Sequence, residues 1–174
     1  MFFDLVAFSK GATTKQMVEK ADEISNTLDR RLRPDYYWDE RDKENDLILT
    51  PTGDGYAITL CSDFEHGEIL KIVSGIYYDL VRRKKLKARF GINVGPNVAY
   101  VDLNESMNIA GWGITKARRV MDEAGPNQIL CDSSFAEPVK QDIRELKDIG
   151  IKKTKWGLRM RLYNYKKGNT GVDV

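Results

Sequence analysis

Asp4 closes the apolar start of the run Phe2-Phe3-Asp4-Leu5-Val6, and Asp54 lies in the turn Thr52-Gly53-Asp54-Gly55 between two alternating apolar runs. A sheet that brings these segments side by side puts both carboxylates at one end of it, and hard oxygen ligands so placed can hold two Mg²⁺ ions for chemistry on a nucleoside triphosphate. Each aspartate has a plainer reading as well. Gly-Asp-Gly by itself suits the backbone angles of a tight hairpin turn. The position of Asp4 is harder to dismiss, because a carboxylate inside an apolar strand is costly without a partner.

Other reactive residue types are sparse. His66 is the only histidine, which excludes multi-histidine zinc sites and leaves a histidine triad only around that residue. Between Glu65 and Gly67 it reads as an exposed or capping residue at a helix start. Cys61 and Cys131 fall in apolar, strand-like runs without metal-ligand spacing and read as buried free thiols. The run Arg82-Arg83-Lys84-Lys85-Leu86-Lys87-Ala88-Arg89 is strongly basic within a net charge of only +2. It interleaves no aromatic residues for base stacking, so no nucleic-acid partner is expected, and it reads as a helix end whose cations project into water.

The elements that must position these residues follow from periodicity. A strand is expected over residues 2–8, then a helix from a Thr13 cap, with Met17, Ala21, Ile24, Leu28 and Leu32 at helical spacing, closed by Pro34. Tyr36-Tyr37-Trp38 and the charged residues to Asp46 read as a loop, and residues 47–49 and 56–60 as a hairpin about Gly-Asp-Gly. A second helix is expected over 65–84, a strand over 88–94, a return strand over 98–101, and a third helix from Trp112 to Gly125-Pro126. A strand over 128–131, a short helix over 133–141 and strands over 143–149 and 158–165 complete the chain. The order βαββαβ with further strands after it predicts an α+β, ferredoxin-like core. With 174 residues, 31% charged and 41% hydrophobic, this is a single domain over residues 1–165 with a mobile tail from 166. No apolar run is long enough for a membrane span, and no basic-then-apolar leader opens the chain, so a cytoplasmic protein without a membrane partner is expected.

Arg89-Phe90-Gly91-Ile92-Asn93-Val94-Gly95, followed by Gly111-Trp112-Gly113-Ile114-Thr115-Lys116-Ala117-Arg118-Arg119, resembles the catalytic core of the class III nucleotidyl cyclases, the adenylate and guanylate cyclases. The Phe-x-Asp strand with its Phe8-Ser9 loop and the Gly-Asp hairpin match the same family in the same order, so the resemblance spans residues 3–165. It implies two metal ions, Mg²⁺ or Mn²⁺, on Asp4, Asp54 and the Leu5 carbonyl. It also implies phosphate contacts from Phe8, Ser9, Arg89 and either Lys153 or Lys155, and a transition-state arginine at Arg119. One turn before Arg119 the family carries asparagine where this chain has Thr115, a shorter hydrogen-bonding side chain. The family implies a head-to-tail homodimer with two composite sites.

Two positions depart further. Adenylate cyclases generally read the base with a lysine and an aspartate, guanylate cyclases with glutamate and cysteine; this chain has Thr50 and Asn108. Neither purine set is present, and the combination resembles the stand-alone bacterial pyrimidine cyclases of Pycsar antiphage defence. That resemblance implies conversion of UTP, or else CTP, to a cyclic nucleotide read by a separate effector. An adenylate cyclase with an unorthodox pocket and a silent nucleotide-binding module remain as alternatives.

Overall fold

The computed structural model describes residues 1–32, 46–60, 64–155 and 157–166. Its strands are β1 (Phe2–Leu5), β2 (Leu47–Pro51), β3 (Gly55–Leu60), β4 (Ala88–Ile92), β5 (Asn97–Val101), β6 (Met107–Gly111), β7 (Gln128–Asp132), β8 (Leu146–Lys153) and β9 (Arg159–Tyr165). The helices are α1 (Thr14–Leu32), α2 (His66–Tyr77), α3 (Trp112–Asp122) and the short α4 (Ser133–Ala136). A seven-stranded sheet runs in the order β2-β3-β1-β4-β7-β9-β8, and β5 and β6 form a separate ribbon. β3 lies antiparallel between β1 and β2, and β1 antiparallel between β3 and β4. The units β1-α1-β2 and β3-α2-β4 therefore interleave, which is the ferredoxin-like α+β core expected from the element order. β7 adds parallel to β4, and the β8–β9 hairpin extends the sheet antiparallel to it.

Strand alternation divides the core. Phe3 and Leu5 pack with Ile24, Leu28, Ile72 and Phe90 on the face covered by α1 and α2, whereas Phe2 packs with Ala57, Ala117 and Met121 beneath α3. Asp4, two residues from Phe2, falls on the α3 face. Gly91 lets that helix approach: a Cβ there would lie 2.3 Å from both Ala117 O and Met121 N. α1 opens with a capping box in which Thr13 Oγ1 accepts from Gln16 N at 3.3 Å and Gln16 Oε1 accepts from Thr13 N at 2.9 Å.

Several boundaries differ from the periodic reading, each for a local reason. β1 stops at Leu5 because Ala7 takes a left-handed conformation with φ 57°. α2 is capped by a Glu65–Glu68 box, so His66 is its first helical residue and no cap; it is partly buried, its ring 4.9 Å from that of Phe135. After Tyr77 the helix widens into a π turn, Tyr78–Arg83, that carries Asp79, 1% exposed, to Arg31 Nε at 2.9 Å and Arg83 Nη1 at 3.0 Å. Lys84 pairs with Glu23 at 2.8 Å, so part of the basic run is neutralised within the chain rather than projecting freely into water. Helical structure after β7 ends at Ala136 and gives way to turns, which shifts β8 to begin at Leu146. β6, between residues expected as a return strand and a helix, is an element that periodicity missed. Cys131 is fully buried and free, and burial pushes its thiol pKa up. Pro34, the loop over 36–45, Cys61 and the tail from 167 lie outside the described residues.

Candidate active site

A cleft of about 480 Å³ opens where β1 leaves the sheet beside the β2–β3 turn, lined by Asp4, Leu5, Phe8, Ser9, Asp54 and Arg89. The register opposes Asp4 to Gly55 on β3 and to Arg89 on β4. Asp54 is then the next residue out, and its main-chain oxygen accepts from Leu5 N at 2.8 Å. Both candidate metal carboxylates and the Leu5 main chain thus border one space. Among the described residues no group of three or more His, Cys, Asp or Glu side chains could hold a metal.

Arg89 binds Asp4 through two hydrogen bonds, Nε to Oδ1 and Nη2 to Oδ2, each 2.7 Å. This fork geometry matches a carboxylate and anchors a side chain only 9% exposed. Arg89 Nη2 also lies 3.8 Å from Asp122 Oδ1, while Asp122 Oδ2 is 3.3 Å from Lys155 Nζ. Hydrogen bonding to Asp4, with Asp122 and Asp54 adding charge, raises the Arg89 pKa. Asp122 is a member of the site that sequence reasoning missed. A signal existed: it is an acid at the end of α3, where the helix dipole favours cations.

The loop after β1 is held by Lys20 Nζ, which donates to Phe8 O at 2.8 Å. Phe8 and Ser9 face the cleft, whereas Lys10 and Gly11 border a neighbouring space of about 370 Å³ against α1. The first turn of α1 is capped by its own Thr13, so the cleft is edged by the main chain around residues 5–9 rather than by that helix terminus.

Thr50 and Asn108, 58 residues apart, meet. Thr50 Oγ1 donates to Asn108 Oδ1 at 2.8 Å, joining β2 to β6. The same Asn108 oxygen accepts from Ile109 N at 2.8 Å, and Asn108 Nδ2 points at Asp102 Oδ2, 3.5 Å away. Asp102 Oδ1 accepts from the amides of Asn104 at 2.8 Å and Ser106 at 3.1 Å, which hold this carboxyl below the usual carboxylate range.

Thr115 and Arg119 are not in the cleft. On the outer face of α3, Thr115 Oγ1 donates to Gly111 O at 2.8 Å, and the Arg119 guanidinium lies 5.0 Å from the centre of the Trp112 ring. The helix start is fixed by Asn97 Oδ1, which accepts from Ile114 N at 2.8 Å, and by Asn93 Nδ2, which donates to Gly113 O at 2.9 Å. Lys153 is exposed at the end of β8 opposite Arg159, so of the two candidate lysines it is Lys155 that joins the Asp122–Arg89–Asp4 chain.

No family profile matches the chain, and no curated protein matches it in sequence. Solved structures do. The guanylate cyclase domain of RhGC from Catenaria anguillulae in complex with GTP superposes with a TM-score of 0.75 at 18% identity, over 95% of this chain and 93% of that one. The non-canonical dimeric guanylyl cyclase domain of the RhoGC fusion protein from Blastocladiella emersonii gives 0.72 at 19% identity, over 94% and 92%. The adenylyl cyclase CyaB from P. aeruginosa gives 0.71 at 14% identity, over 99% and 94%. No described helix is long and apolar enough to cross a membrane. The chain therefore has the fold of the class III adenylate and guanylate cyclase catalytic domains.

Proposed function

We propose that this chain is a nucleotidyl cyclase. It converts a nucleoside triphosphate, a pyrimidine one with UTP ahead of CTP, into the 3′,5′-cyclic nucleotide and pyrophosphate, and serves as a second-messenger source in bacterial antiphage defence whose product a separate effector reads. The observation that carries the catalytic reading is the convergence of Asp4, Leu5, Phe8-Ser9, Asp54 and Arg89 on one cleft within the cyclase fold. The donor set is all oxygen, which fits hard divalent cations. Asp4, Asp54 and the Leu5 carbonyl would hold Mg²⁺ or Mn²⁺, which when bound supplies charge neutralisation and a more acidic 3′ hydroxyl.

The protein's own side chains do the rest. Arg89 moves from Asp4 onto the triphosphate, where its planar fork suits phosphate oxygens as well as it suits the carboxylate. Phe8 and Ser9 edge the phosphates, and Lys155 adds a cation steered by Asp122. Thr50 and Asn108 take the base. Arg119 stabilises charge in the transition state from the neighbouring subunit, and Thr115 assists one turn away. A homodimer is required on this reading, because Arg119 and Thr115 lie on the outer face of α3, apart from the cleft of their own chain.

The test is incubation with Mn²⁺ and each of the four ribonucleoside triphosphates in turn, with products identified by mass. A cyclic pyrimidine nucleotide, lost in Asp54→Ala, is the expected result. Cyclic AMP or cyclic GMP alone would retain the chemistry and overturn the pyrimidine assignment. The occupation of both Asp4 oxygens by Arg89 favours one second reading, nucleotide binding without turnover, and absence of any cyclic product would select it.

A further inference from the structure

The hydrogen bonds around Asn108 determine what a base would meet there. The Ile109 backbone N–H can only donate, and it donates to Oδ1 at 2.8 Å, which identifies that atom as the amide oxygen. Nδ2 must then point the other way, and there it meets the Asp102 carboxylate, an obligate acceptor, at 3.5 Å. With Oδ1 identified, the Thr50 hydroxyl at 2.8 Å has to be the donor of that pair. Thr50 Oγ1 is left with lone pairs only, and Asn108 Nδ2 with a second N–H.

We infer that Asp102 is a specificity-determining positioning residue: with the Ile109 amide it locks Asn108 so that the pocket offers an acceptor at Thr50 and a donor at Asn108, the polarity that takes a keto–imide base edge. This rests on the reading of Thr50 and Asn108 as the base pocket. A lysine and an aspartate at these two positions, the adenine-reading set, present a donor at the first and an acceptor at the second. Thr50 and Asn108 present the reverse. A base held in the same frame must turn a ring N–H toward Thr50 and a carbonyl toward Asn108, as uracil and guanine do and cytosine and adenine do not. The small, neutral pair leaves ring size to the shape of the pocket and assigns the edge to its polarity. Asp102 acts through Asn108, and its own carboxylate is oriented by the Asn104 and Ser106 amides.

The experiment uses the four 3′-deoxyribonucleoside triphosphates, which lack the attacking hydroxyl, and measures their binding to the whole protein by calorimetry in Mg²⁺. The expected result is that the uracil compound binds at least about tenfold tighter than the cytosine compound, with guanine over adenine in the same sense. The double substitution Asp102→Asn with Asn108→Asp moves the carboxylate into the pocket at constant charge and should reverse both ratios. Asp102→Ala alone should bring them toward unity. Equal binding of keto and amino bases by the unaltered protein, or ratios indifferent to Asp102→Ala, overturns the inference and leaves the cyclase reading standing. Failure of all four to bind overturns both.

Discussion

The cleft end of the sheet and the outer face of α3 with its ribbon are built on opposite plans. At the cleft a run of charges is answered inside the chain: Asp4 by Arg89, Arg89 again by Asp122, and Asp122 by Lys155. On the ribbon and the start of α3 the large apolar side chains are left outside, with Val98 69%, Val101 63%, Leu103 103% and Trp112 52% exposed. A two-stranded ribbon with such a surface has little reason to persist uncovered in water. On the proposed reading, the half of the site that holds the metal is ordered by its own chain, while the half carrying Thr115 and Arg119 is completed by pairing with a second copy.

The largest expected effects test whether the two halves belong to one reaction. Asp54→Ala should lower cyclisation by about 1000-fold or more, since it removes a proposed metal ligand without touching the core. Arg119→Ala should do comparable damage from the other half. Mixed in equal amounts, the two inactive variants should regain about a quarter of the normal rate, because about half of the dimers are mixed and each of those holds one intact site. No recovery, with mixed dimers shown to form, would sink the shared-site architecture.

Next in size is a difference in stability between the two arginines. Arg89→Ala strands the buried Asp4 carboxylate and should cost about 3–5 kcal/mol in denaturant unfolding. Among the described residues Arg119 makes no ion pair and lies against the exposed Trp112 ring, so its removal should change stability by less than about 0.5 kcal/mol. Equal costs would show that the cleft is not the pre-organised half. Smaller again is the effect of Leu103→Lys at the ribbon tip. It should shift light-scattering mass toward the monomer and reduce the rate at low protein concentration about 10–100-fold, with the unfolding midpoint of the monomer unchanged. An unaltered mass and rate would place the dimer contact elsewhere.

The legibility of the sequence followed the same division. The βαββαβ core could be read because its strands alternate and its helices carry apolar residues at helical spacing, and Asp4 stood out as a charge within an apolar run. Gly91 belonged to a recognisable motif, and its use is the backbone contact with α3. β6 was invisible because Met107-Asn108-Ile109-Ala110-Gly111 has no period strong enough to announce a strand; it is made by pairing with β5. Partners were the other loss. Nothing in the basic run distinguishes Arg83, which answers Asp79, from Arg89, which answers Asp4, because that choice is made by which strands and turns the fold brings together.

The smallest prediction concerns the residue that departs from the family pattern on the unfinished face. The Thr115 hydroxyl is already engaged within the chain: it is donated to Gly111 O at 2.8 Å, a local bond that threonine in the first turns of a helix readily makes. Only lone pairs remain for a substrate, so the donor that an asparagine would supply is missing. Thr115→Asn restores that donor at the cost of the bond to Gly111, whose carbonyl lies at the exposed helix start and can turn to water. The turnover number should therefore rise, by about threefold to tenfold, with little change in KM, since one charge-assisted hydrogen bond realised mainly in the transition state has that worth. A fall in turnover with a lowered unfolding midpoint would instead identify the Thr115–Gly111 bond as the fastening of α3 to the ribbon.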